Sequence, residues 1–250
     1  MQFNSEIDNS SVFYTYDGTF DGLMTVIYTA VYSRKVPHGI SKEENMQFSL
    51  GARYINVKTD FEKSKRVTDA VFKKIGDFGL KRLQYVFLSL FPDKDIIIYN
   101  YMMLAFKNGS ITNSYLSNDT VLRASQIAQN VSRETEKFRQ FIRFSVMDSG
   151  IQYARFIPEN NVLPLIMPFF IKRLKTIPFV LHDPAHEICG IYDTKESYIA
   201  SSKGLVPPRL GGKEKEVRAL WNTFFNSISI KERENLRLQK QMMPARYFRQ

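Results

Sequence analysis

Val12 to Tyr16 is a run of β-branched and aromatic residues that predicts a strand, ended by the turn-forming pair Asp17-Gly18. From Asp21 to about Arg34, Leu23, Met24, Ile27, Ala30 and Val31 recur at helical spacing, with Asp21 as N-terminal cap or first-turn acid. Pro37, Gly39 and Gly51 mark an excursion, and residues 52 to 58 alternate like a strand. Thr59-Asp-Phe-Glu62 fits a capping box, after which Val67, Val71 and Ile75 repeat every four residues. Lys63, Lys65, Arg66, Lys73 and Lys74 occupy the other faces of that helix. Further helices are predicted at roughly 77 to 91, 93 to 108 and 118 to 138, separated by Pro92 and by Gly109.

The spacing then changes to alternation. Phe141 to Met147 and Ile151 to Ile157 flank Asp148-Ser-Gly150 and predict a β-hairpin. A helix follows over 162 to 175, with Pro164 tolerated in its first turn and Pro168 expected to kink or restart it. Phe179 to His182, Glu187 to Tyr192 and Ser197 to Ala200 read as strands. Pro207-Pro208 and Gly211-Gly212 mark a linker at 201–212, before two basic amphipathic segments. The expected architecture is α+β: a mostly antiparallel sheet, a central helical region and C-terminal helices. Residues 1–200 form the core, with its helical middle at about 60–138 and a β-hairpin region at about 139–200. Residues 213–250 form a helical segment docked on that core.

Composition narrows the class. With 250 residues, 44% of them hydrophobic, the chain has enough material for one sizeable core or two small ones. The longest apolar run, Leu163 to Ile171, is about half of a bilayer span and contains two prolines. The first residues carry acid and no apolar segment, so a cytoplasmic protein without membrane contact is expected. One cysteine, Cys189, forms no intrachain disulfide and holds no metal cluster alone. No phosphate-binding glycine loop, nucleophile elbow, His-Glu-x-x-His or Cys-x-x-Cys is present, and no cofactor is expected. The net charge of +10 and pI near 9.5 predict attraction to polyanions, DNA foremost, and equally describe an ordinary basic surface.

Three constellations carry candidate chemistry. Asp17 and Asp21 can present two carboxylates at one opening for metal or proton work; a turn acid and a helix cap explain them as well. His182, Asp183 and His186 offer nitrogen and oxygen ligands for a metal such as zinc, although a turn containing Asp183-Pro184 accounts for the acid. Arg133, Arg139, Arg143 and Arg155 gather around the predicted hairpin, where guanidinium groups suit phosphate and Tyr153 suits stacking on an unpaired base. An amphipathic hairpin with solvated arginines is the plainer reading. Arg233, Arg237 and Arg246 in the C-terminal run mix base with aromatic residues and either follow a nucleic-acid backbone or sit on the outside of a docked tail.

Tyr16-Asp-Gly-Thr-Phe-Asp-Gly-Leu23, Arg133-Glu134, Phe141-Ile-Arg-Phe144, Leu163-Pro-Leu165, Phe170-x-x-Arg173 and Trp221 through Met243-Pro-Ala-Arg-Tyr-Phe248 resemble, nearly end to end, the blocks of a family of uncharacterised DNA-metabolism proteins. The resemblance implies a role in DNA repair or modification, beside a radical-SAM DNA modification or repair protein and in association with uracil-DNA glycosylase. Arg173 is counted with the candidate nucleic-acid-binding residues. The chain departs from the pattern at Glu136 and Phe169, where histidines are common, and at His186, where Arg or Lys is usual. The expected function is therefore a nucleic-acid-binding accessory protein acting with a partner enzyme. The alternatives are an enzyme that acts on DNA through its carboxylates or a metal, and a protein–protein adaptor.

Overall fold

The computed structural model of the chain describes residues 12–45 and 52–205. Helices and strands are both present, so the fold is α+β. The chain divides into two compact units, Met1–Asn130 and Val131–Gln250.

In the first unit β1 (Val12–Tyr16) is the centre of a three-stranded sheet, flanked by β2 (Gly39–Lys42) and β3 (Arg53–Asn56). Both pairings are parallel, with Phe13 opposite Gly39 on one side and opposite Tyr54 on the other. Parallel neighbours need a crossover, and α1 (Phe20–Ser33) supplies it between β1 and β2. The helix is capped by Thr19, whose hydroxyl accepts from the Gly22 N–H at 2.9 Å, while Asp21 is the first-turn acid. In α2 (Phe61–Leu88) the cap is Asp60, accepting from the Lys63 N–H at 3.1 Å. The capping box expected at Thr59 therefore does not form; the Thr59 hydroxyl donates to Asp17 instead. Gly76, at φ 69°, interrupts α2 in a conformation that disfavours any side chain. α3 (Lys94–Asn108) is buried through Ile97, Ile98, Tyr101, Met102 and Ala105. Arg82, lying over the Phe78 ring, donates to the Tyr101 hydroxyl and the Asn113 carbonyl and so ties α2, α3 and the short helical turn at 109–114 together.

The division between the units falls within α4 (Asp119–Phe141). In the second unit β4 (Ser145–Val146), β5 (Gln152–Arg155), β6 (Phe179–Asp183), β7 (Ile188–Tyr192) and β8 (Ser197–Ser201) form one sheet in chain order. α5 (Leu163–Leu174) links β5 to β6, which are parallel; the other pairs are antiparallel. α5 begins with Pro164 in its first turn and continues past Pro168. It packs on β7 where Gly190 has no side chain: a Cβ there would lie 2.4 Å from the Met167 sulfur.

Two expectations are corrected. The sheets are not mostly antiparallel, because the first is wholly parallel and the second mixed. The predicted strand at 141–147 is shorter than expected: α4 continues to Phe141, residues 142–144 are neither helix nor strand, and β4 holds only two residues. Most of the expected linker at 201–212 and all of the segment at 213–250 lie outside the described residues. Among the described residues, no helix is long and apolar enough to cross a membrane.

Candidate functional site

At the C-terminal end of β1 the chain turns back over the start of α1. Asp17 accepts from the Thr19 N–H at 2.9 Å and the Thr19 hydroxyl at 2.7 Å through one oxygen, and from the Thr59 hydroxyl at 2.7 Å through the other. Burial pushes its pKa up, but the bonds from Thr59 and Thr19 outweigh it and hold the carboxyl below the ordinary Asp value. Asp21 accepts from the Ser64 hydroxyl of α2. Both candidate carboxylates thus tie the turn to β3's exit and to α2. Gly22 is required by this arrangement, because a Cβ would stand 2.3 Å from Asp17 Oδ1.

The histidine cluster does not converge. Successive strand residues point to opposite faces, and β6 directs His182 to the Tyr153 hydroxyl, 2.6 Å from Nδ1. Asp183 instead holds the following turn, accepting from the Ala185 and His186 N–H groups, with Oδ2 2.7 Å from His186 Nδ1. Among the described residues no group of three His, Cys, Asp or Glu side chains has metal-binding geometry. His182 thus belongs to a strand pair with Tyr153, while Asp183 and His186 hold a turn. Burial, assisted by Arg155 and opposed by Asp183, holds the His182 pKa below its ordinary value, and burial pushes the Cys189 thiol up. Tyr153 is buried against His182, which removes its ring from the stacking role expected of it.

The arginines of the second unit divide by environment. Arg143 donates to the carbonyls of Gln140 and Ile142 and closes the C-terminus of α4. Arg139 pairs with Glu136 and donates to the Leu165 carbonyl at 2.9 Å, its guanidinium 5.8 Å from the Phe169 ring centre. Glu136 and Phe169, two of the departures from the family pattern, thus meet on one arginine. Arg155 is half-buried, whereas Arg133 and Arg173 are exposed. Arg233, Arg237 and Arg246 lie outside the described residues.

Two features of the first unit were not singled out from the sequence. The first is the exposed surface of α2, a helix with seven basic residues against three acidic ones, five of the basic residues being exposed. Lys65, Arg66, Lys73 and Lys74 are exposed, beside Phe61, Phe72 and Phe78 at 73%, 50% and 64% exposure. Among the described residues none of these four cations has an ion-pair partner, while Lys63 and Lys81 are held by Asp60 and Asp77. The basic residues were visible at helical spacing; the exposure of three phenylalanines was not, because aromatic residues on a helix ordinarily face the core.

The second is a cavity of about 520 Å³ between β2 and the turn from α2 into α3, lined by Phe13, Ser41, Lys42, Tyr54, Phe91, Lys94 and Asp95 among others. Phe13 and Tyr54 stack at 5.4 Å. Asp95 is 4% exposed; the Tyr16 hydroxyl donates to its Oδ2 at 3.0 Å, and its Oδ1 has no partner. Burial raises the Asp95 pKa, opposed by Lys94, the Tyr16 bond and Lys42. Lys94 donates to the Phe87 and Ser89 carbonyls, and burial lowers its pKa to about 8.

A family model described as a domain of unknown function, DUF4130, matches residues 92–250. No curated protein matches the chain. The matched residues take in one wall of the cavity and every candidate arginine, and leave out Asp17, Asp21 and α2.

Proposed function

As the chain belongs to the DUF4130 family, a domain of unknown function, we propose from its chemistry that it binds single-stranded nucleic acid along α2 and serves as an accessory protein in DNA repair or modification. The exposed face of α2 carries this reading. Cations without ion-pair partners there suit a phosphate backbone, and exposed aromatic rings interleaved with them offer surfaces on which unpaired bases stack. Asp69 lies among them and trims the local charge without cancelling it. The net charge of +10 favours the same class of partner.

The resemblance to DNA-metabolism proteins supplies the context: a strand held on α2 is presented to a partner, a radical-SAM modification or repair protein or a uracil-DNA glycosylase. The enzyme reading through Asp17 and Asp21 has weaker support, since both carboxylates are hydrogen-bonded within the fold. Ultraviolet crosslinking to a single-stranded oligonucleotide, mapped by mass spectrometry, is expected to label the segment from Phe61 to Lys81. Crosslinks confined to other segments would refute the assignment to α2. Affinity capture from cell extract that recovers no nucleic-acid enzyme would refute the accessory role.

A further inference from the structure

Lys42 and Asp95 carry opposite charges into one cavity and do not pair with each other. Among the described residues the Lys42 ammonium has no hydrogen-bond or ion-pair partner. Its stem runs over Gly18, whose missing side chain leaves room for it; a Cβ at Gly18 would meet Lys42 Cδ at 3.0 Å. Asp95 is buried with Oδ1 unsatisfied, an arrangement that is destabilising unless something donates to it. Tyr16 holds the other oxygen and so fixes which way the carboxyl faces. Lys94, the nearest cation in sequence, is occupied by two backbone carbonyls and does not neutralise the site by contact. The walls between the two charges are aromatic: Phe13 stacked on Tyr54, with Phe91 on the α2–α3 turn.

A ligand complementary to this cavity has a flat apolar body, an N–H donor at one end and an anion at the other. We infer that the cavity is a mononucleotide site, with the base against Phe13 and Phe91, the phosphate on Lys42, and the base edge donating to Asp95 Oδ1 once that side chain, enclosed in the present conformation, turns toward it. The volume lies within the range of roughly 300–1,000 Å³ that small-molecule sites occupy. A carboxylate accepting from the amino group of a base, as from cytosine N4, is an established mode of base reading. The site is distinct from the strand-binding face of α2, and its test does not depend on that face.

Isothermal titration calorimetry on the full chain tests it, with adenosine, guanosine, cytidine and uridine 5′-monophosphates, the four nucleosides and inorganic phosphate as probes. At least one mononucleotide is expected to bind at a single site, its nucleoside about tenfold more weakly, and phosphate alone without measurable heat. Lys42→Met is expected to erase the preference for nucleotide over nucleoside. Asp95→Asn is expected to weaken both by about tenfold or more, because the single amide oxygen accepts from Tyr16 and turns a donor toward the base. Ile111→Ala, at an exposed position outside the cavity lining, is expected to leave nucleotide affinity unchanged. The inference is overturned if no mononucleotide binds at millimolar concentration, or if binding is the same in wild type, Lys42→Met and Asp95→Asn, each checked as folded by circular dichroism.

Discussion

Glu134 offers the sharpest test of how the second unit is held together. It sits in α4, 5% exposed, and its carboxylate accepts three hydrogen bonds: from the Glu159 N–H at 2.7 Å, the Asn160 N–H at 3.0 Å and the Asn160 side-chain amide at 2.6 Å. The loop that leads into α5 is therefore latched to α4 by one acid. Hydrogen bonds to a charged group contribute about 1.5–3 kcal/mol each, and they are not additive when they share an acceptor. Glu134→Ala is accordingly expected to destabilise by about 3–5 kcal/mol, since two half-buried backbone donors and the Asn160 amide lose their charged acceptor. Glu134→Gln keeps the shape but turns an amide donor toward one of the N–H groups, and is expected to cost about 1–3 kcal/mol. Urea unfolding followed by circular dichroism measures both. With a slope of about 2 kcal/mol per molar, the Ala variant should lower the midpoint by roughly 1.5–2.5 M. A loss below about 1 kcal/mol for Glu134→Ala would place the variant near the range of surface substitutions and refute the latch.

Gly22→Ala should destabilise by about 1–3 kcal/mol although alanine is the better helix former, because its Cβ meets Asp17 Oδ1 and the Thr59 hydroxyl; thermal unfolding showing a more stable variant would contradict the packing of that turn. Asp95→Asn should stabilise the protein at neutral pH while weakening nucleotide binding. The folded-state pKa of Asp95 is raised by burial, so its favourable contribution is complete below the unfolded value of about 3.9 and is lost as pH rises through the folded value. The gain from Asp95→Asn should therefore vanish toward about pH 3 and grow toward neutrality; a gain that does not change with pH would show that the carboxyl titrates as if exposed.

Local signals were legible in the sequence where the forces are local. The strand at Val12–Tyr16, the helix after it and the turn at Asp148–Gly150 all follow from propensity and spacing. Strand direction was not, because no residue type encodes a parallel pairing; the clue lay in α1 and α5, whose length between strands requires a crossover. Thr59 and Asp60 both satisfy a capping pattern, and the choice fell to Asp60 because the Asp17 carboxylate, 42 residues earlier, takes the Thr59 hydroxyl. Tyr153 alternates as an outward residue would, yet its partner His182 lies 29 residues away and buries it. Asp95 is a first-turn acid of α3, and nothing near it in sequence announces Tyr16, 79 residues earlier, or the cavity that Asp95 lines. The basic residues of α2 were legible, and the aromatic rings that give them a partner chemistry became visible only with their exposure.

The central claim, that α2 holds a nucleic-acid strand, is tested most directly by fluorescence anisotropy of a labelled single-stranded oligonucleotide across a salt series. If Lys65, Arg66, Lys73 and Lys74 each contact one phosphate, log affinity should fall against log salt with a slope of about −3. The double variant Lys65→Ala/Lys73→Ala should flatten that slope by roughly 1.4, and Phe72→Ala should cost about 1–3 kcal/mol of binding energy. Absence of binding at low salt, or binding whose slope and strength are indifferent to these substitutions, would contradict the account.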